Sequence, residues 1–244
     1  MRDQRVLLFD LGNVVIESTG LVTLERLLPQ LDREEVLRRW LASSAVRGFE
    51  SGALPQDAFA RAFLAEWPLH MAPAQFLVEF ATWVRGFLPG ARDLLSGLRR
   101  RHRIACLSNT NSAHWARLDG IEDVFDLCIA SHITGYLKPD RETYEDALRR
   151  LGVGAAQVFF FDDLPGNVAA ARAVGIQAFQ VKGVAETASA LRALGIEAAT
   201  GENVHDRTHL PPAAVPDSER IAALYERHAR QYDQDRSRGL QEKA

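Results

Sequence analysis

Val6-Leu7-Leu8-Phe9-Asp10-Leu11-Gly12-Asn13 decides how this chain folds. Four apolar residues run without a polar break, stop at an aspartate, and meet a Gly-Asn turn signal. A short apolar run with such bounds reads as a strand buried on both faces. The same pattern returns after Pro89-Gly90, now alternating with helices. The chain reads as helix over Ala91 to Arg101, strand over Arg103 to Leu107 and short helix over Ser112 to Leu118. A short strand comes next over Leu127 to Ala130, then a helix over Arg141 to Leu151 closed by Gly152, a left-handed helix stop. Strands over Val158 to Phe161 and Gln177 to Val181 alternate with helices over Asn167 to Val174 and Val184 to Leu194. Strand–helix repetition at this spacing predicts an α/β fold with a doubly wound, Rossmann-like parallel sheet.

The stretch from Leu21 to Trp83 differs. Glu34 to Leu41 and Gln56 to Leu64 carry helical periodicity, Gly48, Gly52 and Pro55 interrupt it, and no strand signal occurs. It reads as an inserted helical piece. The expected organisation is a core of residues 1–16 and 88–196, a helical cap of 17–87, a linker of 197–216 and a helical tail of 217–244.

Bulk properties narrow the function classes. Hydrophobic residues at 47% and charged residues at 25% are ordinary for a globular chain. A formal net charge of −3 gives no electrostatic footprint for nucleic acid. The basic run Arg99 to Arg103 falls where a helix ends, and there it complements the helix dipole. No apolar stretch approaches the ~20 residues that cross a bilayer, and no leader pattern opens the chain. Cys106 and Cys128 sit in apolar runs without a CxxC pair, which fits core packing in a reducing cytoplasm.

Polar residues stand at the strand ends. The first strand ends in Asp10, the second in Ser108-Asn109 and the fourth in Asp162-Asp163, and Lys138 lies in the loop Gly135 to Asp140. Singly, each has an ordinary reading as a turn, cap or surface residue. In a parallel sheet, however, the carboxyl ends of strands share one crevice. Carboxylates, a hydroxyl and an ammonium meeting there suggest a divalent cation and a phosphate. A carboxylate attacks phosphorus once cations mask the repulsion, a hydroxyl and main-chain N–H groups hold phosphoryl oxygens, and a lysine meets developing negative charge.

These segments resemble the four motifs of the haloacid dehalogenase (HAD) superfamily. The first is Phe9-Asp10-Leu11-Gly12-Asn13-Val14-Val15 and the second Leu107-Ser108-Asn109-Thr110-Asn111. The third is Leu137-Lys138-Pro139-Asp140 and the fourth Phe160-Phe161-Asp162-Asp163-Leu164-Pro165-Gly166-Asn167-Val168. The resemblance spans about residues 5–195 with the motifs in order, and the helical insert resembles the C1-type cap of subfamily IA. The motif form is similar to α-D-glucose-1-phosphate phosphatase-like proteins.

The resemblance implies a phosphatase that passes through an aspartyl-phosphate on Asp10. Asp10, the Gly12 carbonyl and Asp163 would bind Mg²⁺, with Asp162 and Asn167 beside or behind them. Ser108, Asn109 and Lys138 would hold the phosphoryl group, and Lys138 would also serve in catalysis. The partner would be a small phosphorylated metabolite, not a nucleic acid or a membrane, and the protein a monomer or homodimer. Residues near Thr110, Asn111 and His114 would help set specificity.

One departure stands out. Most phosphatases of the superfamily carry an acid/base aspartate two residues after the nucleophile, where this chain has Gly12. The leaving group could need little protonation, Glu17 or His114 could substitute, or the chain could be a slow or inactive protein that binds a ligand or partner. A haloacid dehalogenase of the same fold is a further alternative, but it would have little use for Asp162-Asp163. In the tail, Leu224 to Asp233 resembles the opening helix of some S-adenosylmethionine-dependent methyltransferases. That helix is expected to be either a fusion remnant or an amphipathic segment that packs on a partner.

Overall fold

The computed structural model describes residues 5–198. The expected linker from residue 199 onward, the tail helix and its methyltransferase likeness lie outside the described residues.

Five strands form the central sheet: β1 (Val6–Phe9), β4 (Arg103–Ser108), β5 (Leu127–Ala130), β6 (Val158–Asp162) and β7 (Gln177–Gln180). Their order is β5-β4-β1-β6-β7 and every pair is parallel. The chain moves outward from β1 through β4 to β5, then crosses back to β6 on the other side of β1. This reversal puts the crevice at the carboxyl end of β1, between β4 and β6.

Side-chain alternation on β1 builds two cores, one on each face of the sheet. Leu7 and Phe9 pack with Ile104, Cys106, Phe161 and Leu95. Val6 and Leu8 pack with Ala105, Phe160, Tyr144 and Val168. The Phe9 and Phe161 rings stack at 5.2 Å between centroids. Helices α6 (Ala91–Arg99) and α12 (Gly183–Ala193) cover the first face, and α10 (Arg141–Leu151) and α11 (Pro165–Ala173) the second. Burial on both faces explains why β1 and β6 read as continuous apolar runs rather than alternating ones. Cys106 is buried, Cys128 is half-buried, and both are free thiols.

Between β1 and α6 the chain forms α1 (Gly20–Leu27), α2 (Arg33–Ala42), α3 (Ser44–Glu50), α4 (Gln56–Glu66) and α5 (Pro73–Ala81). These helices enclose a separate apolar cluster that includes Phe49, Phe59, Phe63, Phe76, Phe80 and Trp83. Side chains cap two of them: Asp32 accepts from the Glu35 N–H and Ser43 from the Val46 N–H.

A two-stranded antiparallel ribbon, β2 (Ile16–Ser18) with β3 (Val84–Phe87), brackets the insert. The sequence carries no signal for it. Strands of three and four residues are too short to show a period of two, and Gly86 at φ +112° breaks the pattern. The described residues also form the single-turn helices α7 (Ser112–Trp115), α8 (Ile121–Val124) and α9 (Ser131–Thr134), and the sequence shows no sign of the last two. No described helix is long and apolar enough to cross a membrane.

Candidate active site

Asp10 follows β1 directly and its main-chain N–H donates to the Phe161 carbonyl at 2.8 Å, which extends the β1–β6 ladder by one step. The carboxylate is thereby fixed at the sheet end, in a buried position. The next residues make a tight turn in which the Leu11 carbonyl accepts from the Val14, Val15 and Ile16 N–H groups. Asn13 takes a left-handed φ of 55°, a conformation that asparagine tolerates better than most residues. Among the described residues, no hydrogen-bond donor takes the Gly12 carbonyl.

Lys138 reaches into this end of the sheet and is 4% exposed. Its Nζ donates to Asp10 Oδ1 and to Asp162 Oδ2, both at 2.7 Å. Asp162 is fully buried, and its oxygens also accept from Asn167 Nδ2 at 3.0 Å and from the Leu164 N–H at 2.9 Å. Asp163 is half-buried and accepts from Asn13 Nδ2 at 3.3 Å. Oxygens of Asp10, Asp162 and Asp163 lie within 4.8 Å of one another.

Three carboxylates thus face one ammonium. Burial raises the Asp10 pKa to about 7; Lys138 opposes the rise, and Asp162 and Asp163 add to it. Asp163 is raised for the same reasons, burial first and Asp162 next. Burial works against the charge of Lys138, but Asp10 and Asp162 outweigh it, and the lysine is held above its ordinary value.

Asn109 clamps the Lys138 main chain: Nδ2 donates to the Lys138 carbonyl at 2.8 Å and Oδ1 accepts from the Lys138 N–H at 2.9 Å. A role in holding a phosphoryl group would therefore fall to its second amide hydrogen or its main chain. Ser108 is buried at the end of β4, and its hydroxyl makes only a long contact of 3.4 Å to the Asn109 carbonyl.

All eight residues expected from the sequence fall at this end of the sheet, joined by contact or by chain neighbourhood. The two suggested substitutes for an acid/base aspartate do not join them usefully. Glu17 lies on the ribbon and pairs with Arg85 at 3.3 Å. His114 is buried, with Nε2 on the Phe80 carbonyl at 2.8 Å and Nδ1 on Asn111 Nδ2 at 3.1 Å. A carbonyl only accepts, so Nε2 carries the proton and Nδ1 accepts from the amide. Burial lowers its pKa to about 4, and with both nitrogens engaged it is a structural tie to α5.

Two residues escaped the sequence reading. Asn13 orients Asp163, and its position after Gly12 in a tight turn was the available signal. Glu50, at the end of α3, has its pKa raised to about 7, by burial first, with Lys138 opposing and Asp10 adding. Its sequence neighbourhood, a helix end before Ser51-Gly52, carries no sign of this.

Residues 4–175 match the family model described as haloacid dehalogenase-like hydrolase. A phosphatase of Mycobacterium tuberculosis is 30% identical over 172 residues, 64% of this chain and 76% of that protein. A HAD family enzyme of Bacteroides thetaiotaomicron, solved with magnesium and inorganic phosphate, superposes with TM-score 0.60 at 22% identity, covering 73% of this chain and 94% of that one. An L-2-haloacid dehalogenase superposes with TM-score 0.53 at 22% identity over 73% of this chain and 84% of that one. At such identities the two superpositions speak for the fold alone. The family match covers well over half of the chain, and the protein belongs to the haloacid dehalogenase-like hydrolases.

Proposed function

We propose that the protein is a Mg²⁺-dependent phosphatase that hydrolyses a small phosphomonoester through an aspartyl-phosphate on Asp10. The observation that carries this reading is the charge pattern at Lys138: one ammonium bridges Asp10 and Asp162 at 2.7 Å while Asp163 stands beside them. Buried carboxylates in excess of their cations are costly, so the cluster calls for further positive charge.

The donor set is all oxygen, which suits a hard divalent cation. Asp10, Asp163 and the free Gly12 carbonyl are the groups that would hold it. Asp162 has both oxygens engaged with Lys138, Asn167 and the Leu164 N–H, and would act from behind. When bound, Mg²⁺ would offset the negative charge that otherwise repels a phosphate from Asp10.

Lys138 holds Asp10 Oδ1 and leaves Oδ2 as the attacking oxygen. Ser108 and main-chain N–H groups after β4 would receive phosphoryl oxygens. A dehalogenase acting on carbon would have little use for the Asp163 carboxylate, which makes no bond to Lys138. The named phosphatase relative favours phosphoryl transfer. A sugar phosphate, with an anomeric leaving group that needs little protonation, is the substrate class suggested by the Asp-Leu-Gly-Asn form of the first motif.

Gly12 favours a second reading, a low-activity or inactive protein that binds phosphorylated ligands. Phosphate release from p-nitrophenyl phosphate separates the two. The first reading requires release that depends on Mg²⁺ and is abolished in Asp10→Asn; no release by the wild type supports the second.

A further inference from the structure

The helical insert brings one carboxyl group to the end of the sheet where Asp10 lies. Glu50 is the last residue of α3, and its main-chain carbonyl accepts from Ser131 Oγ at 2.6 Å. The same hydroxyl accepts from the Thr110 N–H at 2.9 Å, in the loop that comes after β4. Three residues before Glu50, Arg47 pairs with Asp140, two residues past Lys138. The end of α3 is therefore tied to both loops that flank Asp10, the Thr110 loop and the Lys138 loop.

The Glu50 side chain has no hydrogen-bond partner among the described residues. It is half-buried, yet desolvated enough that burial dominates its titration. Lys138 and Asp10 are the charged groups that act on it, and Arg47 and Asp140 nearby neutralise each other. A carboxyl that keeps its proton on about half of the molecules near pH 7 can donate it there, and it adds less than a full negative charge against an incoming phosphate. Its ionised form, once the proton is given, faces Lys138.

We propose that Glu50 supplies the proton transfer that Gly12 cannot, acting on the leaving-group oxygen of a phosphomonoester held between α3 and Asp10. The inference rests on the phosphatase function proposed for Asp10. In-line attack by Asp10 puts the leaving oxygen on the side of phosphorus opposite Asp10, where a proton donor has to stand. In the first step the Asp10 Oδ2–phosphorus bond forms, the phosphorus–oxygen bond to the leaving group breaks, and that oxygen takes the proton of Glu50. In the second step the Glu50 carboxylate takes a proton from water as the water oxygen bonds to phosphorus. The bond between phosphorus and Asp10 breaks, inorganic phosphate leaves, and both side chains return to their starting states.

The test compares p-nitrophenyl phosphate, whose leaving group departs readily as an anion, with phenyl phosphate, whose leaving group needs the proton more. The readout is kcat/KM with Mg²⁺, which reports the steps through phosphorylation of Asp10. Glu50→Gln should lower kcat/KM for phenyl phosphate by about 10² or more, within the usual range for general acid catalysis, and lower it much less for p-nitrophenyl phosphate. With p-nitrophenyl phosphate it should also release one equivalent of nitrophenol quickly and then turn over slowly, because the second step has lost its base. Glu50→Ala should repeat the pattern, which guards against an effect peculiar to glutamine, and unchanged near-ultraviolet circular dichroism checks the fold. Equal losses for the two substrates, or a rise in KM with kcat intact, would overturn the proposal and make Glu50 a substrate-binding group. If the wild type releases phosphate, Asp10→Asn abolishes it and Glu50→Gln hydrolyses phenyl phosphate at the wild-type rate, the proton-transfer role alone falls. If the wild type releases none, the phosphatase function falls and takes this inference with it.

Discussion

Asn109 grips Lys138 by the main chain at two points, N–H and carbonyl, at 2.9 and 2.8 Å. The lysine that bridges Asp10 and Asp162 is thus placed by a residue on the neighbouring strand end, not by its own loop alone. Asn109→Ala would leave a part-buried donor and acceptor unpaired, which costs about 1–3 kcal/mol for a buried group and less with water access. The expected result is a lower thermal midpoint together with a fall in kcat, because Lys138 would no longer be held in line with Asp10. Paired thermal melts and kinetics check it; a variant with native stability and full kcat would show the clamp to be dispensable.

Asp162 and Asp163 are neighbours with different surroundings. Asp162 is saturated by Lys138, Asn167 and the Leu164 N–H, while Asp163 is half-buried and takes a longer 3.3 Å hydrogen bond from Asn13. Asp163→Asn should therefore weaken Mg²⁺ binding sharply. Asp162→Asn should act through the position of Lys138, lowering kcat while leaving metal affinity closer to native. Groups behind a metal site typically matter by about 10–100-fold. Calorimetric Mg²⁺ titration of both variants, beside their kcat values, separates the two roles. Equal losses of metal affinity would put both carboxylates on the ion.

Glu50 also makes a stability prediction. Its folded pKa of about 7 lies above its ordinary value of 4.5, so the folded state holds its proton more tightly than the unfolded chain. Such a group destabilises the fold progressively as pH rises from about 4.5 to 7, and the full cost is present above that window. Glu50→Gln removes the ionisation. The variant should match the wild type at pH 4 and exceed it at pH 8 by about 1–3 kcal/mol, the span allowed by a shift of this size and partial solvent access. Denaturant titrations without metal at the two pH values measure the difference, and a variant that is less stable at pH 8 would contradict a buried, uncompensated carboxyl.

The sheet was legible because its central strands, β1, β4 and β6, are buried on both faces and end abruptly in polar residues. Asp10, Lys138 and Asp162 could be named together because a parallel sheet gathers strand ends. The ribbon at Ile16–Ser18 and Val84–Phe87 was not legible, since pairing between residues 66 to 71 positions apart leaves no local period. Glu50 was hidden for a related reason. Its chemistry comes from the loops onto which α3 is tied, through Ser131 and through Arg47 with Asp140, and not from its own neighbours. Ser108 and Asn109 looked alike as strand-end polar residues. Only the geometry shows that one side chain is nearly free and the other committed to Lys138.

Gly12 provides the most direct test of why this site lacks an aspartate two residues past Asp10. A Cβ placed there would lie 3.8 Å from Ser18 Cβ and 3.9 Å from Asp10 Oδ2, both ordinary van der Waals contacts, and its φ is not one that requires glycine. Sterics at Cβ therefore do not exclude a side chain. An aspartate at this position would bring a fourth carboxylate to a cluster that already sets three against Lys138. Gly12→Asp should fold, bind Mg²⁺ or need it more strongly for stability, and raise the pKa of Asp10 further in the metal-free state. If Glu50 already transfers the proton, the new carboxyl should give little gain in the wild-type background but restore part of the lost kcat/KM for phenyl phosphate in Glu50→Gln. A double-mutant cycle over positions 12 and 50 reads this as non-additivity. Strict additivity would mean that the two carboxyl groups do not share a task.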